Sequence, residues 1–239
     1  MATDVLKLVA EVLRDPQAVV ERASDPAEFA VDVPRLLGIG VVGLALFGAI
    51  VGSYRGGPQV AFAAVKMPLL LLLPTVVALP AVRSLWAALG AEASWLRLGA
   101  AGLVGVARTA VLAAALGPVL WLVYSLGTGY HLSVLLLALA LVVVGVPGVS
   151  VVGRVLPTAG AEARAAALVS ALLLGAITAQ TGWLLRPFVA RPTASISFLR
   201  PVEEDIFSSL FATALSSVGH YPGWDVERKG LLSRPQEER

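Results

Sequence analysis

The stretch Leu98–Leu126, LGAAGLVGVARTAVLAAALGPVLWLVYSL, decides the class of this protein. It carries a single charge, Arg108, and no carboxylate. Wound as a helix it spans on the order of 40 Å, more than the roughly 30 Å hydrocarbon core of a bilayer. Such a helix either tilts or lays its first turns in the interface.

Four similar stretches surround it. Leu132–Val152 follows, and Gly145-Val-Pro147-Gly148 is expected to break it. Ala165–Leu185 is the last span. Upstream, a span runs from Met67 to about Ala88, with Pro74 and Pro80 expected to kink it. The first span is Leu36–Ser53, where Gly48 and Gly52 have the GxxxG spacing that lets helices approach closely. Trp95, Trp121, Tyr124, Tyr130 and Trp183 fall near span ends, as interfacial aromatics do.

Composition agrees. Only 14% of the chain is charged, against about 25% in soluble domains. The expected architecture is all-α: a polytopic transmembrane helical bundle of five spans with amphipathic N- and C-terminal helices. Residues 1–34 read as an interfacial segment, 35–188 as the bundle, and 189–239 as a polar tail with a helix over 202–218.

Met1–Ala30 holds six carboxylates and no long apolar core, so it does not read as a secretory signal, and the first span is expected to serve as the insertion signal. Val5, Leu8, Val12 and Leu13 have helical spacing, which suits a helix at the membrane surface or a soluble leader. Asp15-Pro16 and Asp25-Pro26 read as N-caps followed by proline at the first helical position. Positive charges lie on both sides of the membrane, with a lean toward a cytoplasmic N-terminus.

Several function classes find no support. Net charge is +2 with no dense basic stripe, which gives no case for nucleic acid. Without cysteine there are no disulfides or thiol chemistry. Between Val33 and Pro201 the carboxylates are Glu92 and Glu162, both expected in loops. Proton-coupled carriers usually place an ionisable residue inside the membrane. The two histidines, His131 and His220, stand apart, so a lipid-modifying enzyme is the weakest reading. No metal or other cofactor is expected.

The remaining polar groups are few. Lys66, Arg83 and Arg186 lie near span ends, where long side chains snorkel to the interface. Arg108 sits deeper and needs either a short reach to the interface or a partner such as Gln180 or a backbone carbonyl. Gln180 is a polar group in a span, expected to face another helix as packing glue rather than bind substrate.

Two motifs punctuate the chain: Gly52-Ser-Tyr-Arg-Gly-Gly-Pro-Gln59 leading to Lys66-Met-Pro, and Gln180-Thr-Gly-Trp-Leu-Leu-Arg-Pro-Phe188. With Phe198-Leu-Arg200, their order resembles a group of bacterial multi-pass membrane proteins of unknown role. More distantly, the five-span plan is similar to the Yip type of small membrane protein. That resemblance implies a cytoplasmic N-terminal segment and a part in membrane trafficking and complex formation without a catalytic centre. The resemblance to the bacterial group implies that the two motifs matter to the fold or to a partner. Tyr54, Lys66, Arg108, Gln180, Trp183, Arg186, Pro187 and Phe188 are therefore the candidate packing, partner or lipid contacts.

The expected function is a non-enzymatic subunit or scaffold of a membrane complex in the bacterial inner membrane, with lipids and other membrane subunits as partners. A channel or carrier for a lipid or small anion is the alternative.

Overall fold

The computed structural model describes residues 2–90, 94–154, 161–189 and 198–199. The expected helix over 202–218 and His220 lie outside them. The described elements are α1 (Ala2–Arg14), α2 (Pro16–Arg22), α3 (Pro26–Ser53), α4 (Pro58–Ala88), α5 (Trp95–Ser125), α6 (Tyr130–Arg154) and α7 (Ala161–Leu184). Among the described residues, the five helices α3 to α7 are long and apolar enough to cross a membrane. The chain is a multi-pass, all-α membrane protein. Successive spans alternate in direction because only a few residues separate the end of one from the start of the next. The starts of α3, α5 and α7 therefore share one face, here called the N-terminal face, with the ends of α4 and α6.

Helix ends are set by local chemistry. Asp15 caps α2 through Ala18 N at 3.2 Å, Asp25 caps α3 through Ala27 N at 2.8 Å, and Ser94 caps α5 through Arg97 N at 3.2 Å. Gly56 and Gly57 take φ of +74° and +59°, the left-handed region that glycine enters freely, and so form the α3–α4 turn.

Several boundaries differ from the sequence reading. α3 starts at Pro26, not Leu36, so the expected division at residues 34/35 falls inside a continuous helix. α4 starts at Pro58, nine residues before Met67, and includes Pro68, Pro74 and Pro80. α6 runs unbroken through Gly145–Gly148. In apolar surroundings a helix keeps every other backbone group paired, so losing one proline donor costs less than unwinding a turn. Glu162 stands in the first turn of α7 rather than in a loop.

α5 is the central helix, touching α1, α2, α3, α4 and α6. Glycines set the closest crossings. A Cβ on Gly52 would meet Val60 Cα at 2.7 Å, and one on Gly48 would overlap the Ala63 carbonyl oxygen. The Gly48–Gly52 spacing thus brings α3 onto α4. Gly105 lies against the Gly148 carbonyl oxygen (2.8 Å from an added Cβ), which brings α5 onto α6.

The N-terminal helices join the bundle. Leu8, Val12, Val19 and Val20 are buried in one core with Val82, Trp86, Leu98 and Val104. The apolar stripe of α1 covers the bundle end, because Leu8 and Val12 find protein partners there.

Candidate functional site

The two motifs meet at the end of the bundle opposite the N-terminal face. Gln59 and Lys66 are seven residues apart, two helical turns, so they share one face of α4. That face is turned toward α7, and both side chains are fully buried. Past the end of α7, the chain returns its carbonyls to them. Gln59 Nε2 donates to Pro187 O and Phe188 O, both at 2.9 Å, and Lys66 Nζ donates to Pro187 O at 3.1 Å. Lys66 Nζ also lies 4.9 Å from the Phe198 ring centre and 5.9 Å from that of Phe188. Phe62 meets Phe198 edge-to-face at 5.3 Å.

This is a buried ammonium held by carbonyl dipoles and aromatic faces. Among the described residues no carboxylate pairs with it, and Gln59 Oε1 accepts no hydrogen bond. Lys66 therefore does not snorkel. The sequence reading placed it at a span end, whereas α4 begins two turns earlier and aims it inward.

Neighbouring candidates gather at the same end. Tyr54 Oη donates to Thr128 O at 3.2 Å and its ring meets Tyr124 edge-to-face at 5.3 Å. The Arg186 guanidinium lies 3.5 Å from the centre of the Trp183 ring. Arg108 belongs elsewhere: its Nη2 donates to Leu13 O of α1 at 3.4 Å. Gln180 is exposed on α7, and no hydrogen bond joins it to Arg108. The carbonyl partner considered for Arg108 is present, but α1 supplies it by folding back onto α5.

Three polar features were not singled out from the sequence. Gln59 appeared there only as the end of a motif, though its two-turn spacing from Lys66 was a usable signal. Asp32 is buried and ties the N-terminal helices together. Arg22 Nε donates to its Oδ2 at 3.0 Å and Arg22 Nη1 donates to Glu11 Oε2 at 2.8 Å, while Arg35 Nη1 stands 3.6 Å from Asp32 Oδ1. Partial burial opposes the charge on Arg22, but the hydrogen bonds and charges of Asp32 and Glu11 prevail and raise its pKa. Third, Trp86 Nε1 donates to Ser170 Oγ at 2.9 Å inside the bundle, fixing α4 to α7.

Between α4, α5, α6 and α7 lies a cavity of about 560 Å³, lined by apolar side chains, glycines and four hydroxyls. Each hydroxyl is already bonded within its own helix. Thr75 donates to Leu71 O at 2.7 Å, Thr109 to Gly105 O at 3.0 Å, Ser150 to Pro147 O at 2.8 Å and Thr178 to Leu174 O at 2.7 Å. Comparison with protein-family models, with curated proteins and with solved structures finds no match to this chain.

Proposed function

We propose that this chain is a non-enzymatic membrane subunit that assembles with a second copy of itself through the outer face of α7. The observation that carries this reading is Gln180, an amide left exposed on an apolar helix. In hydrocarbon an amide without a partner is costly, and an interhelical hydrogen bond is its usual remedy. An amide both donates and accepts, so across a twofold axis it is its own complement. Ala165, Val169 and Ala176 continue the Gln180 stripe at helical spacing, and all are exposed. Two of the three are alanines, which allow backbones to come close. α7 is also the least covered of the five spans. The Yip-type resemblance, with its role in complex formation, agrees with this reading.

The chain lacks cysteine, so an Ala176→Cys variant reports the contact cleanly. Oxidation in native membranes should give a disulfide-linked dimer. At about 0.6–2 kcal/mol per interhelical hydrogen bond, adding Gln180→Leu should lower dimer formation about three- to thirtyfold. A chain that stays monomeric at every expression level would refute self-assembly.

The N-terminus belongs on the cytoplasmic side of the bacterial inner membrane in this proposal. Lys66, countable from sequence as a far-side charge, is buried, and Arg108 binds α1 on the N-terminal face. Both shift the basic excess toward that face, as the positive-inside rule requires of a cytoplasmic side. Leu6 and Leu126 are exposed at opposite ends. With a membrane-impermeant maleimide on intact cells, Leu126→Cys should label and Leu6→Cys should label only after permeabilisation. The reverse pattern would invert the assignment.

A further inference from the structure

We propose that the cavity between α4, α5, α6 and α7 holds one acyl chain of an anionic phospholipid, with the headgroup at a rim formed by Arg83, Arg154 and Arg164. Four independent observations point to this occupant.

The first is shape. The lining follows α4 from Leu70 to Val82, about 18 Å of helix. One leaflet of hydrocarbon is about 15 Å, half of the roughly 30 Å core. The lining residues of α5, Gly102 to Thr109, place the cavity in the half of the bundle nearer the N-terminal face.

The second is access. Val142 and Val146 of α6 and Leu172 of α7 line the cavity, yet each is about 60% exposed. The cavity thus opens sideways between α6 and α7, toward the bilayer, with Leu172 at the edge it shares with the Ala165–Gln180 stripe.

The third is chemistry. All four lining hydroxyls are committed to carbonyls of their own helices. Nothing in the lining offers a spare donor to an ion or a polar solute, and leaving polar groups unpaired in such a place is costly. A methylene chain needs no donor.

The fourth is charge at one end. The lining stops at Val82 on α4 and Val152 on α6, and the arginines Arg83 and Arg154 follow at once. Arg164 stands about two turns before the first lining residue of α7. All three are exposed, and Arg83 is braced 4.6 Å from the ring centre of Trp95. The described carboxylate side chains of this face sit on α1, α2, α3 and their connecting turns. A phosphate diester at this depth meets three cations while its chain enters the cavity, and anionic lipids are attracted to basic membrane-proximal segments in this way.

Two glycines make the test clean. A Cβ on Gly145 or Gly175 would meet nothing within 4 Å, so a larger side chain there occupies the cavity without displacing protein. Full-length protein, purified in mild detergent and stripped of lipid, is titrated with phosphatidylglycerol and with phosphatidylcholine of identical chains and read by native mass spectrometry. One lipid per chain is expected. Phosphatidylglycerol should bind more tightly by about fivefold for each arginine engaged. Gly145→Leu with Gly175→Leu should weaken both lipids at least about tenfold, since losing the burial of two methylenes already does that. The melting temperature should not fall. Arg154→Gln with Arg164→Gln should cut the preference for phosphatidylglycerol to the about fivefold that Arg83 alone supplies, and leave phosphatidylcholine unchanged. Should the double leucine variant not fold, Gly175→Leu alone is measured by the immobilised fraction of spin-labelled phosphatidylglycerol in vesicles, where the same direction is expected. Wild-type lipid retention in a folded leucine variant overturns the site. Equal affinity of the native chain for the two lipids overturns the headgroup assignment.

Discussion

Gly148→Leu is expected to leave almost no folded protein, whereas Gly145→Leu, one turn earlier in the same helix, is expected to be stable. The two substitutions add the same side chain to the same kind of residue, and both gain helix propensity by about 0.8 kcal/mol. They differ in what the first added atom meets. On Gly148 a Cβ would overlap Thr109 Oγ1 and come within 2.6 Å of the Gly105 carbonyl oxygen. Thr109 cannot rotate away at little cost, because its hydroxyl is bonded to that same carbonyl at 3.0 Å. The clash is with backbone, so α5 and α6 must separate along their crossing. Overpacking a core ordinarily costs about 1–3 kcal/mol. Forcing two central helices apart should exceed about 4 kcal/mol, a large part of the stability of a typical domain. On Gly145 the added atom enters the cavity, and the change should stay within about 0.5 kcal/mol. Yield of monodisperse protein and the melting midpoint in detergent read both variants. Equal damage from the two would rule out the α5–α6 crossing described above.

The second large effect is at Lys66, where size and charge act in opposite directions. Lys66→Ala empties a fully buried site and should cost about 3 kcal/mol, as large-to-small changes in cores do. Lys66→Met keeps the volume and removes a charge that no described carboxylate balances. Pro187 O would still accept from Gln59 Nε2 at 2.9 Å, so the methionine variant strands no acceptor. It should melt within about 1.5 kcal/mol of the native chain, because replacing a buried charge by a packed apolar group is often neutral or stabilising. Gln59→Leu is the contrasting case. It removes the Gln59 donor from Phe188 O, a partly buried acceptor, and losing such a bond costs about 1 kcal/mol or more. The expected order of melting temperatures places Lys66→Met above Gln59→Leu and Lys66→Ala. If methionine proves as damaging as alanine, the ammonium charge itself holds the end of α7 in place.

The number and type of the spans were legible because hydropathy is summed over some twenty residues and survives local exceptions. The starts of α3 and α4 were misread for a related reason. Asp32, Gln59 and Lys66 look like interface residues when only water and lipid are considered. In the folded chain, Arg22, Pro187 and Phe188 supply the partners that water would otherwise provide. The gathering of Tyr54, Lys66, Trp183, Arg186, Pro187 and Phe188 at one end was partly readable, since both motifs sit where α3 turns into α4 and where α7 finishes. The partner of Arg108 was not, because nothing in α1 announces that it folds back onto α5.

The glycines divide the two kinds of information most clearly. Sequence by itself determined a five-span helical bundle, because the length and apolarity of a helix are properties of its own residues. It also offered Gly48 and Gly52 as a contact, since their spacing puts them on one face. Only the tertiary structure decided that Gly148 lies against the α5 backbone while Gly145, three residues away, opens into a cavity. The physical reason is that a glycine is permissive everywhere and informative only through its neighbours. Which neighbours it has depends on where two helices cross, and that is fixed jointly by residues far apart in the chain.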